Sequence, residues 1–332
     1  MELTQEKVPN KNDLPPAPPA LSPLRMSNLR ERAGDRFFRY LMMGFGGAVV
    51  LLAGAMFWEL SKNSRLAWKT FGLSFIWMRQ WDPVAEVFGA LPFIYGTLVS
   101  SAIAMAIAIP LGLGSALFLA ELAPRKISDA LTFLIELLAA IPSVILGLMG
   151  IFILVPTVKW FEPTLIKYLG FLPFFRGTPY GVGLLTAGLI LSIMILPYIT
   201  TISRDVLLSV PRSLKEGALA LGATHWETVR LVIYPFSRSA ILGAVFLALG
   251  RALGETMAVT MVIGNTPKIS LSLFDPSYSM SAVLANEFAE ATSDLHVHSL
   301  IAIALVLFCI TIVVNGLARL MIYQVAVKGG KK

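Results

Sequence analysis

Six stretches of this chain are apolar over about twenty residues or more, at roughly 40–59, 93–120, 130–155, 181–202, 239–263 and 299–323. A hydrocarbon core is crossed by about 20 residues of helix, whereas a large buried core in a water-soluble fold predicts shorter runs. The chain is therefore expected to be an all-α integral membrane protein with six transmembrane helices. The composition agrees, because 56% of the 332 residues are hydrophobic and only 14% are charged, against about a quarter charged in a soluble domain. Pro110, Pro142 and Pro197 fall inside these blocks and are expected to mark kinks or helix ends, which neighbouring helices make tolerable.

The formal charge of +7 acquires a meaning once Lys and Arg are counted loop by loop. Eighteen lie on the side that holds both termini, eight lie on the opposite side, and Arg251 lies inside a span. That asymmetry predicts cytoplasmic termini, and it turns the excess charge into a topology signal rather than a nucleic-acid footprint. Residues 1–39, with Pro15-Pro16-Ala17-Pro18-Pro19, read as a disordered, basic cytoplasmic leader of polyproline character. A first transmembrane helix over 40–60, an extracytoplasmic loop over 61–92, a main helical body over 93–323 and a cytoplasmic tail over 324–332 complete the plan. The polar, basic segment ahead of the first block favours an uncleaved anchor over a signal peptide. Cys309 is the single cysteine, which leaves no intrachain disulfide and no thiol metal cluster. Nothing matches G-x-x-x-x-G-K-[ST], so any ATP has to be handled by another chain.

The long loop over 203–238 carries the most informative local pattern. Pro211 suits a first helical turn and Gly222 a left-handed stop, so a short helix is expected between them. Leu214, Ala218 and Leu221 share one face of it. Thr224-His225-Trp226-Glu227 has the form of a capping box, which predicts a second helix, ending at Pro235. Two short helices locked at a glycine elbow make a rigid knob suited to a cleft in another protein. The same residues also fit an amphipathic helix lying on a membrane surface.

Arg251 is an expensive residue near the middle of the fifth block, costing about 2.5–3.5 kcal/mol unpaired. Glu255 follows at a spacing that allows pairing on a helix, either as a self-neutralising structural pair or on a substrate route. Gly250-x-x-x-Gly254 beside it gives a face that another helix can approach closely.

Two sets of residues resemble a known family. Glu216-Gly217-Ala218, Gly222, Val232 and Pro235 fit the spacing of E-A-A-x3-G-x9-I-x-L-P, the cytoplasmic signature of permease subunits of binding-protein-dependent ABC importers, with Gly217, Val232 and Tyr234 as departures. The run from Gly250-Arg251-Ala252 through Glu255-Thr256-Met257, followed by Ile263-Gly264-Asn265-Thr266, resembles phosphate permeases of the PstC type. So do Tyr95-Gly96-Thr97-Leu98, Glu136 through Ser143, and Ala285 through Glu290, and the likeness spans about residues 70–323. The resemblance implies a MetI-like bundle of five core helices with the first added, in the bacterial inner membrane. It implies that 93–323 is a permease core and that Glu216, Gly217, Ala218, Gly222 and Pro235 couple to an ATPase. It places Arg251 and Glu255 on the anion route, and Asn286 and Glu287 in an outer loop where a soluble binding protein docks. The implied partners are a second, PstA-like permease, a PstB-like ATP-binding subunit dimer that holds ATP and Mg, and an extracytoplasmic PstS-like phosphate-binding protein. No cofactor or catalytic residue is expected in this chain.

The chain is thus expected to be a transport subunit, not an enzyme, importing inorganic phosphate. Import of another oxyanion such as sulfate or molybdate, and a role as a membrane phosphate sensor, are the alternatives. A secondary transporter would show paired broken helices or inverted repeats, which the sequence lacks. His296-Val297-His298 is read as two side chains alternating across an extended segment, which makes a poor metal site. His225 fits a helix start, and Glu121 and Glu136 fit capped or solvated positions near span ends.

Overall fold

A computed structural model describes the backbone of residues 29–329 and the side chains of residues 34–324. The chain divides into two compact units, residues 1–56 and residues 57–332. Among the described residues, six helical stretches are long and apolar enough to cross a membrane. Among the described residues there is no strand beyond one isolated bridge, Asp82 to Val87.

Helix α1 covers Leu29–Asn63, with its side chains exposed from Gly34 to Glu59. It begins within the span read as leader, because Leu29-Arg-Glu-Arg-Ala are good helix formers that extend an apolar helix into water. The proline run lies outside the described residues. Two short helices, α2 (Arg65–Phe71) and α3 (Ser74–Trp77), occupy the loop before α4 (Leu91–Leu117).

Block 130–155 is not one span. Helix α5 (Arg125–Ala140) stops ahead of Pro142, where Ile141 and Pro142 are extended, and the crossing helix is instead Ser143–Leu169, made of α6 (Ser143–Met149), a π turn and α7 (Val155–Leu169). A residue before proline avoids the helical region, so Pro142 cuts the apolar block in two. Helix α5 turns its small polar residues Ser128 and Thr132 inward against α8 (Leu184–Leu208) and leaves Phe133, Leu134 and Leu137 outside.

The fifth block also moves. After α9 (Arg212–Ala220) and α10 (His225–Thr228), the helix does not end at Pro235. It runs through a π turn into α11 (Tyr234–Gly254), breaks, and resumes as α12 (Met257–Val262). The chain then crosses α13 (Met280–Glu287) and closes on α14 (Asp294–Gly329), which continues through most of the expected tail.

The body is built around α4 against α8, with α11 laid on α8 and α14 on α11. Close contact depends on missing side chains: a Cβ on Gly188 would sit 2.4 Å from Ile103, and one on Gly112 would sit 2.8 Å from Ile199. Small residues let membrane helices approach where no hydrophobic force drives them together. Ala104, Ala108, Ile190, Ile195, Ala248, Val259 and Val262 fill the centre. Phe75, Trp81, Phe88, Phe93 and Tyr278 close the end where α4 and α14 begin. Ala116, Leu207, Val210, Ile233 and Ile241 close the other end, beneath α9 and α10.

Candidate functional site

Arg251 lies in the last turn of α11, where a cation is favoured by the helix dipole. It does not pair with Glu255. Its guanidinium carbon instead sits 4.5 Å from the centroid of the Tyr198 ring on α8, and no ion pair involves it among the described residues. Pairing fails because the helix ends between the two residues. Glu255 is extended, its carbonyl accepts from the Ser281 hydroxyl at 2.6 Å, and its carboxylate accepts from the backbone N–H of Ala258 at 3.4 Å. Tyr198 stands 14 residues past Leu184 and ten before Leu208, about 21 Å and 15 Å along the axis, so the guanidinium is near the middle of the membrane-crossing length.

Phe236, Ala240, Leu247, Arg251 and Gly254 recur at helical spacing and are all exposed. A Cβ added to Gly254 would meet nothing within 4 Å, while one on Gly250 would approach Asn315 of α14 at 3.9 Å. The two expected small residues therefore differ: Gly250 approaches α14, and Gly254 has no close neighbour among the described residues. An arginine on an outward stripe at mid-depth is not a lipid-facing arrangement; such residues face a bundle interior or a water-filled cavity.

The elbow forms as the sequence predicts. Gly222 has φ of +87°, its N–H reaches the Leu219 carbonyl at 2.9 Å, and the Ala223 N–H reaches Ala218 at 3.1 Å, the paired bonds of a Schellman ending. Thr224 and Glu227 complete the capping box, the hydroxyl accepting from Glu227 N–H at 3.2 Å and the carboxylate accepting from Thr224 N–H at 2.8 Å. Of the face of Leu214, Ala218 and Leu221, Ala218 is half-buried while the two leucines stand out, Leu221 at 91% exposed, as do Trp226 and Leu231. Inward, Lys215 pairs with Glu121 at 2.5 Å. Glu216 and Gly217 are exposed. Pro235 is in the first turn of α11, directly after the π turn.

At the opposite end, Asn286 donates to the Tyr278 hydroxyl at 3.1 Å, and burial pushes that phenol up to about 12. Glu287 accepts from the Trp81 indole at 2.9 Å and lies 3.1 Å from His296 Nε2. Both side chains are thus engaged inside the chain. His296 and His298 sit in the first turns of α14, not in an extended segment, and they diverge: the His298 ring meets the Asn63 carbonyl. No group of three or more metal-ligating side chains occurs among the described residues. Tyr198, Ser281 and the Trp81–Glu287–His296 network were not legible in advance. An aromatic residue following Pro197 within a span was the one available signal for Tyr198, and the other partners are remote in sequence.

Residues 108–325 match the family described as binding-protein-dependent transport system inner membrane component. A protein of Mesorhizobium japonicum named phosphate transport system permease protein PstC is 46% identical over 94% of this chain and 97% of its own length. One of the same name from Haemophilus influenzae is 47% identical over 90% and 96%, respectively. Among solved structures, a chain of a bacterial alginate ABC transporter in complex with a pentasaccharide-bound periplasmic protein superposes with a TM-score of 0.58 at 15% identity, covering 87% of this chain and 96% of that one. That likeness is one of fold.

Proposed function

This chain belongs to the family of binding-protein-dependent transport system inner membrane components, and on that premise we propose that it is the permease subunit of an ATP-driven phosphate importer of the PstC type. It is a multi-pass protein of the bacterial inner membrane. The observation that carries the reading of its pathway is Arg251, a mid-depth guanidinium on an exposed helix stripe that no carboxylate among the described residues neutralises.

A guanidinium presents planar paired donors that match two oxygens of a phosphate. The Tyr198 ring restrains Arg251 by a cation–π contact, which holds the group in place without cancelling its charge. Glu255, at the break between α11 and α12, shapes the backbone there and repels an anion that lingers, so the site attracts without trapping. The exposed stripe of α11 faces a second permease, which closes the pathway. With both termini in the cytoplasm, the α9–α10 knob points inward. Its apolar tip, Leu221 with Trp226, fits a cleft in an ATP-binding subunit, and Glu216, Gly217, Ala218, Gly222 and Pro235 transmit closure of that dimer to α11. A phosphate-binding protein delivers substrate at the outer face near Asn286 and Glu287.

The test is uptake of labelled phosphate by the reconstituted complex with its binding protein. The expected result is ATP-dependent accumulation that excess sulfate does not suppress. Preferential accumulation of sulfate overturns the substrate, and absence of any ATP-driven uptake overturns the importer.

A further inference from the structure

A second concentration of positive charge lies away from Arg251, at the end of the body beneath the knob. A cavity of about 440 Å³ between α5, the end of α8 and the start of α9 is lined by Arg125, Ser128, Asp129, Arg204, Arg212 and Lys215, among others. Lys215 is already neutralised by Glu121. Arg204 is held loosely: its terminal nitrogens lie 3.4 Å from Asp205, 3.4 Å from the Ser128 hydroxyl and 3.7 Å from Asp129, and its Nε is buried without any hydrogen-bond partner. Both aspartates are largely exposed, and ion pairs of that kind contribute little. Arg125 and Arg212 are exposed and take part in no ion pair among the described residues. The helices that begin here, α5 and α9, both start at a proline with no side-chain cap, so uncapped N–H groups and positive dipole ends add to the field.

We propose that this cavity is a binding site for a phosphate group, held by Arg204 with Arg125 and Arg212. Short charge-assisted bonds to phosphate oxygens replace the long contacts that the Arg204 terminal nitrogens make within the chain and give Arg125 and Arg212 a counter-charge. An occupant bridges three elements at once: α5 and α8 of the body and α9 of the knob. It therefore braces the knob against the body. The ligand is inorganic phosphate from the adjacent solution or the headgroup of an anionic phospholipid, which share this chemistry. The proposal goes beyond the transport reading and does not rest on it.

The experiment is hydrogen–deuterium exchange on the assembled transporter in nanodiscs, following peptides across residues 203–215, in an Arg251→Ala background so that the mid-span site is silent. One arm uses phosphatidylcholine discs with millimolar inorganic phosphate against chloride at equal ionic strength. The other uses discs containing phosphatidylglycerol without phosphate. Slowing of about tenfold in either arm, lost in Arg204→Gln and in the exposed pair Arg125→Gln with Arg212→Gln, is the expected result and names the source. Should Arg204→Gln fail to assemble, the double variant alone decides. Unchanged exchange in both arms, or protection that survives the double variant, overturns the site. The readout needs no transport, so failure of uptake and failure of this site are separate results.

Discussion

Arg251 shows how the partner of a charge decides its use. A carboxylate four residues along a continuous helix neutralises an arginine, whereas an aromatic ring restrains it and leaves it available; here the helix stops at Gly254 and the Tyr198 ring is the partner. Glu287 is the converse case, the last residue of α13 in a segment read as a docking surface, whose carboxylate is the acceptor for Trp81 and the neighbour of His296. Glu287→Ala leaves two buried polar partners unmatched and is expected to destabilise the chain by about 1–3 kcal/mol, seen as a lower thermal midpoint. A change in binding-protein affinity with no loss of stability would instead support docking. The two glycines of the knob also separate. Gly222→Ala forces a side chain into a left-handed corner, costing about 1–2 kcal/mol and weakening uptake. Gly217→Ala meets no atom within 4 Å and is expected to stabilise α9 by up to about 1 kcal/mol, with uptake retained.

At the scale of elements, three π turns precede prolines, and in the last two the helix runs on through the proline, whose ring it must then accommodate. Phe118–Leu122, Gly150–Leu154 and Val229–Ile233 each end with the residue before a proline donating to the carbonyl five back, as Ala123, Val155 and Tyr234 do ahead of Pro124, Pro156 and Pro235. A proline cannot donate, and its ring crowds the carbonyl four residues earlier; one extra residue in the turn relieves the crowding. At Val229–Ile233 the wide turn sets the rotation of the knob about α11. Pro235→Ala removes its cause, and is expected to keep the chain folded while lowering transport per ATP hydrolysed, measured as the uptake-to-ATPase ratio. An unchanged ratio would remove the turn from the coupling route. This also explains what the sequence did and did not reveal. The elbow at Gly222 and the box at Thr224 were legible because each is local, built from residues within five positions. The helix continuing past Pro235, and block 130–155 dividing at Pro142, were not, because one apolar run hides where proline ends a helix and where a widened turn carries it on. The break at Glu255 depends on Ser281, 26 residues away, which no local pattern contains.

For the whole molecule, exposed features recur where a single chain leaves them without a partner: the α11 stripe with its arginine, the outward apolar face of α5, and the Leu221 tip of the knob. Each fits a surface of a larger assembly, and the stripe is the one on which the reading of a shared anion pathway depends. The most direct measurement is ATP-dependent phosphate uptake by reconstituted complexes carrying Arg251→Ala, with assembly and ATP hydrolysis recorded on the same vesicles. The expected result is an intact complex that still hydrolyses ATP while uptake falls by at least about tenfold, a loss of about 1.4 kcal/mol or more of anion stabilisation in the pathway. Uptake at the native rate by the assembled variant would contradict the account, leaving Arg251 a structural residue and the pathway elsewhere.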